Sequence, residues 1–146
     1  AGYWQMPEKT KEEFTPEGYF RTGDMGRFDS EGYLAIIGRD KDLIITGGLN
    51  VYPKEIEEAI DALPGVAESA VIGLPHPDFG EAVTAVVVRA KGTGGPDAEA
   101  IIAELKGRIA GFKVPKAVHF VDDLPRNAMG KVQKAELRRI YGDSFA

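Results

Sequence analysis

The sequence contains no cysteine and only 2 histidines. That excludes a disulfide scaffold, a thiolate nucleophile and a Cys/His zinc site, and it suits a protein of the cytoplasm. Positive charge is not in excess either. Against 23 Asp and Glu stand 18 Lys and Arg, a formal net charge of −5, which argues against electrostatic capture of nucleic acid or of an acidic membrane. Long apolar runs are missing: none approaches the ~20 residues needed to cross a bilayer. The opening AGYWQMPEKT has neither a basic start nor an apolar stretch, so it does not read as a signal peptide. It also lacks an initiating Met, and the expectation is a piece of a longer protein. What is present is an ordinary globular composition. The 146 residues are 43% hydrophobic and 28% charged, which is enough chain to bury a core without disulfides or a structural metal.

Residues 1–40 and 41–146 differ in character. The first part is rich in Gly, Phe, Tyr and acidic residues and shows little helical periodicity. Within it, RFDSEGYLAIIGR reads as a hairpin, with strands at Arg27 to Asp29 and Tyr33 to Ile37. A lone hairpin is marginal in water, so this part is expected to pack on something else. The second part alternates helices and strands. Pro53 suits a first helical position, and Ile56, Ala59, Ile60 and Leu63 recur at helical spacing before Pro64-Gly65. Val66 to Leu74 and Glu81 to Ala90 read as strands, with PHPDFG between them as a loop. KGTGGP is a second loop, and Asp97 fits a helix cap or first-turn acid. Ile101, Ile102, Leu105 and Ile109 then form a stripe running up to Gly111. Val118 to Val121 is a short strand, and Lys134 to Tyr141 a terminal helix. The order predicts an α+β fold: a small three-stranded sheet flanked by helices, preceded by the hairpin.

Four stretches could carry chemistry. In LPRNAMGKVQK, Lys131 follows a glycine, which raises a phosphate loop. The pattern G-x-x-x-x-G-K-[ST] fails twice, because Pro125 stands where the first glycine should and Val132 follows the lysine. What remains is a cation on a loop read as a flexible tether, able to neutralise phosphate or carboxylate oxygens. In YFRTGD, Asp24 follows a Thr-Gly turn, where a carboxylate can accept two hydroxyls, as from a ribose. Arg39 ends a strand, where a guanidinium could reach a sugar or phosphate. In TGGLNVYPKEIEEAI, Gly47 and Gly48 lack a Cβ and so allow a ligand close to the backbone, although the stretch also reads as a plain loop into the helix. The acids Glu55, Glu57 and Glu58 suit the field of that helix's first turns. His76 has no ligand partners at useful spacing and reads as structural. No metal site is expected in this chain.

In order, YFRTGD, GRDKDLIITGGLNVYPKEIE, a proline loop ending in Gly80-Glu81, and LPRNAMGK resemble the C-terminal motifs of the adenylate-forming superfamily. The resemblance covers nearly the whole chain. TGGLNVYPKEIE is more similar to the acyl-CoA synthetases than to the adenylation domains of peptide synthetases. Gly2 to Phe14, KEIEEAIDALPGV and VDDLPRNAMGKVQK together look like the malonyl-CoA synthetases.

The resemblance implies an enzyme that joins a carboxylate to ATP, giving an acyl-adenylate and pyrophosphate, and then passes the acyl group to coenzyme A. By residue, it implies that Asp24 binds the ribose hydroxyls with Arg39 beside it, and that Lys131 reaches the carboxylate and α-phosphate during adenylation. It further implies that Lys41 is a hinge and that Gly47 and Gly48 line the pantetheine path. Residues 1–40 would be the tail of a large N-terminal adenylation domain, the partner of a mobile C-terminal domain at 41–146. ATP and coenzyme A are then substrates, and Mg2+ would be held mainly by that large domain. Lys134 departs from the motif, since many relatives carry Arg there. Two other readings remain: a peptide-synthetase-type adenylation domain, and a non-catalytic module that binds coenzyme A or a partner.

Overall fold

The computed structural model describes residues 2–92 and 94–145. The chain forms two compact units, one reaching to Lys41 and the other starting at Asp42.

The first unit opens with helix α1, Pro7–Glu13. PEKTKEE carries no apolar stripe, and none of its residues is buried. The helix is started by Pro7 in its first turn, and Thr10 Oγ1 accepts the Tyr3 N–H at 2.9 Å. It stands where the sequence reading had no helix. Strands β1, Asp24–Phe28, and β2, Leu34–Arg39, pair antiparallel. The hairpin is longer than its pattern suggested, and Asp29 Oδ1 closes its turn by accepting the Glu31 and Tyr33 N–H groups, both at 2.9 Å. No described residue of this unit is buried. Tyr19, Phe28, Tyr33 and Leu34 lie exposed.

The second unit is built on a five-stranded sheet of β3, Ile44–Thr46, β4, Leu49–Val51, β5, Val66–His76, β6, Gly80–Arg89, and β7, Ala117–Val121. The α+β class is as expected, but the sheet is larger than three strands. The added pair, β3–β4, lies in the stretch read as a loop. Central β6 pairs along its length with β5. Its other edge is shared, by Thr46 of β3 opposite Gly80 and by β7, which runs parallel to Thr84–Val88. Both strands extend into PHPDFG, so the loop shrinks to a turn at 77–79.

Both faces of this sheet are covered, which is why β5 and β6 read as almost continuous apolar runs. On one face Val71, Val83, Ala85 and Val87 pack with Ile56 and Ile60 of α2, Pro53–Asp61, and with Ile101 and Leu105 of α3, Ala98–Lys106. On the other, Ala70, Ile72, Leu74 and Val86 meet Leu124 and Leu137, the latter from α4, Lys134–Tyr141. Asp97 caps α3 by accepting the Ala100 N–H at 2.8 Å. That helix ends at Lys106, short of the expected stripe, because Gly107 follows and Ile109 packs from beyond the helix. Among the described residues no helix is long and apolar enough to cross a membrane.

Candidate functional site

In the first unit the hairpin register sets Asp24 opposite Arg39. Arg39 Nε lies 3.0 Å from Asp24 Oδ1, with the two side chains 50% and 27% exposed. A pair so open to water contributes at most about 1 kcal/mol to stability. Its geometry matters more. The carboxylate starts β1 with Thr22 Oγ1 accepting its own backbone N–H at 3.1 Å. The Asp40 N–H donates to the Gly23 carbonyl at 2.9 Å, pinning the Thr-Gly turn to the end of β2. The result is a held carboxylate with acceptor capacity to spare and a guanidinium at its side. Lys41 follows within a short 3-10 turn at Asp40–Asp42, is exposed, and is the last residue of the first unit.

In the second unit Gly47 and Gly48 are the two central residues of the β3–β4 hairpin. Their φ angles are +56° and +77°. Of the two-residue turns that match strand twist, one has φ > 0 at both positions, and glycine adopts it without strain. A Cβ at either position would meet nothing within 4 Å, so the turn, not crowding, demands glycine. The hairpin is held from below: the Gly47 N–H donates to the Phe79 carbonyl at 2.9 Å, and the Ile45 N–H donates to Glu81 Oε2 at 2.7 Å. Glu81 stood in a quoted motif with no task, and this anchoring is its structural role. His76 Nδ1 accepts the Asp78 N–H at 3.1 Å, and the ring lies 4.7 Å from Phe79 and 5.2 Å from Phe145.

Lys131 does not sit on a loose tether. Arg126 and Val132 form an antiparallel bridge. Asn127 Oδ1 accepts the Met129 and Lys131 N–H groups, both at 3.0 Å. The Asn127 N–H donates to the Lys131 carbonyl and the Gly130 N–H to the Asn127 carbonyl, each at 2.9 Å, with Gly130 at φ +77°. The backbone N–H and carbonyl of Lys131 are therefore both bonded while its side chain is exposed, and among the described residues its ammonium has no hydrogen-bond or ion-pair partner.

The acids of α2 do more than suit the helix field. Glu55 binds Lys113 at 2.7 Å, and Glu57 binds Lys134 at 2.7 Å while accepting the Val71 N–H at 2.8 Å. Burial pushes the Asp61 carboxyl up, opposed by a 2.7 Å hydrogen bond from Ser69 and reinforced by Glu57 and Glu68 nearby. His119 escaped the sequence reading. Its ring stacks on Tyr141 at 4.2 Å, its Nε2 is buried without a partner among the described residues, and burial lowers its pKa from the ordinary 6.5. Among the described residues no group of three or more His, Asp and Glu side chains could hold a metal ion.

Residues 55–131 match the AMP-binding enzyme C-terminal domain. The chain belongs to that family. It is similar over 99% of its length to the crystal structure of ATP-bound MatB from Rhodopseudomonas palustris, at 63% identity and a TM-score of 0.90, and it spans 29% of that protein. It is 49% identical over 95% of its length to a long-chain-fatty-acid–CoA ligase of Mycobacterium tuberculosis, and 46% identical over 97% to a feruloyl-CoA synthase of Amycolatopsis. The chain spans only 27% and 28% of those two relatives.

Proposed function

We propose that this chain is the C-terminal part of an ATP-dependent, AMP-forming acyl-CoA ligase of the cytoplasm, acting on malonate or another short-chain carboxylate. The observation that carries the reading is the family match joined to the Lys131 turn, where the Lys131 N–H and carbonyl are both bonded and its ammonium has no partner among the described residues. Relatives whose names specify quite different acids share the CoA thioester as product, so the acid is set elsewhere. Malonate rests on the likeness of Gly2 to Phe14 and VDDLPRNAMGKVQK to the malonyl-CoA synthetases.

In the first half-reaction a carboxylate oxygen attacks the α-phosphorus of ATP. The bond to the bridging oxygen breaks and pyrophosphate leaves. Anion meets anion, and Lys131 offsets that repulsion and the charge that develops. Asp24 holds the ribose through two hydroxyls, and Arg39 keeps its carboxylate oriented. The remainder of the ligase supplies the phosphate loop, the Mg2+ site and the acyl pocket. In the second half-reaction the coenzyme A sulfur attacks the acyl carbon, its thiol proton is lost, and AMP leaves. The open Gly47-Gly48 turn admits the pantetheine arm.

Lys41 is the hinge between these two arrangements. The division of the chain between Lys41 and Asp42 supports that role. Proline there would hold φ at about −65°. In the full-length enzyme Lys41→Pro should spare adenylation and slow thioester formation, whereas unchanged rates for both would remove the hinge. The reading as a whole is tested by incubating the full-length gene product with ATP, coenzyme A and a panel of malonate, acetate, aryl and fatty acids. AMP and an acyl-CoA are expected together. Adenylate formation without thioester would favour the peptide-synthetase type, and neither product a binding module.

A further inference from the structure

The turn that carries Lys131 is fastened to its domain by ion pairs on both sides. On the leading side, one guanidinium NH of Arg126 donates to the Gly130 carbonyl within the turn at 2.8 Å, and the other meets the Glu68 carboxylate on β5. On the trailing side, Lys134 Nζ reaches Glu57 of α2. Leu124 and Val132 pack into the core cluster beneath. Arg126 thus bonds at once to the residue before Lys131 and to the sheet.

Stability is a poor account of the Arg126–Glu68 pair. The side chains are 37% and 32% exposed, and pairs that reach water contribute little. Nor does local structure require it, since the partners stand 58 residues apart. Position is the better account. A guanidinium offers several donors in a fixed fork, so it can grip a carbonyl and a carboxylate together, which a lysine cannot do in the same plane.

We propose that Arg126, held by Glu68, is a positioning residue for Lys131: it fixes the turn to β5 and so sets where the Lys131 ammonium can reach during adenylation. This rests on the acyl-CoA ligase reading above. A lysine has a long, rotamer-rich stem, and a backbone delivered in register leaves less of it to be ordered at the reacting centre. Arg126 itself makes no contact with substrate in this scheme.

The test uses the full-length enzyme with Arg126→Gln, Glu68→Gln and the double variant. Three quantities are read: single-turnover acyl-adenylate formation, thioester formation from preformed adenylate, and amide hydrogen exchange at Met129 and Lys131. Each single variant should slow adenylation about 10–100-fold and leave thioester formation within about twofold, the scale expected of a misplaced catalytic group. Exchange at the two amides should quicken in both. The double variant should be no slower than the worse single, because both break one link. If Glu68→Gln adenylates at the parent rate while Arg126→Gln does not, the guanidinium acts on substrate directly and the proposal falls. Equal slowing of both half-reactions, or exchange that does not change, overturns it too. A parent enzyme that forms no adenylate removes the ligase reading instead, and the exchange measurement still decides the tether.

Discussion

The two units of this chain satisfy the same backbone rules with opposite interiors. The β1–β2 hairpin is paired from Asp24 opposite Arg39 to Phe28 opposite Leu34, with one irregularity at Met25/Gly26, yet no described residue of its unit is buried. The β5–β6 pair is sheathed on both faces, with Ile56, Ile60, Ile101 and Leu105 on one and Leu124 and Leu137 on the other, all nearly inaccessible. The contrast teaches that hydrogen-bonded register is not the same as independence. Pairing fixes which residues face each other, as Asp24 faces Arg39, but apolar burial supplies most of the free energy that keeps them there.

The largest expected effect follows directly. A polypeptide of residues 42–146 should fold alone, with a cooperative urea transition and dispersed amide resonances. One of residues 1–41 should show neither. A folded first unit in isolation would dissolve the contrast. Next come single truncations. Ile56→Ala should destabilise by about 2–5 kcal/mol, as buried large-to-small changes do. Ile36→Ala, at a position 50% exposed, should stay within about 0.5 kcal/mol in denaturant titrations. Similar losses at both sites would mean that the first unit has a core after all.

The smallest effect concerns pH and belongs to the second unit alone. Burial lowers the His119 pKa in the folded chain, so the unfolded chain binds a proton first. Stability is then full above the ordinary value of 6.5 and falls as pH drops through it. His119→Phe should flatten that part of the pH dependence in urea unfolding between pH 7.5 and pH 5. An unchanged slope would place the dependence on other groups.

Much of the second unit was legible because its periods are clean. α2 begins at Pro53 and α4 covers Lys134–Tyr141, as the sequence pattern predicts. The β3–β4 hairpin was not, because three-residue strands give no period to count. Its signal lay in the two glycines between the IIT and LNV runs, read for ligand access although their positive φ is what the turn requires. α1 was hidden by a helix with no apolar face. At the candidate site, residue types and order pointed to Asp24, Arg39 and Lys131. Spacing could not disclose the order around Lys131, since Glu68 and Arg126 meet only once β5 and the turn are folded.

The central claim is that Lys131 and the Gly47-Gly48 turn serve different half-reactions. Gly48→Asn is the fair partner variant, because asparagine tolerates positive φ while adding a side chain over the turn. Single-turnover adenylation and thioester formation from preformed adenylate should be measured on full-length Lys131→Ala and Gly48→Asn. Loss of a transition-state charge contact predicts adenylation slowed about 10²–10³-fold in Lys131→Ala with thioester formation intact. Gly48→Asn should show the reverse. If both variants lose both half-reactions equally, one static site serves both steps, and the account is contradicted.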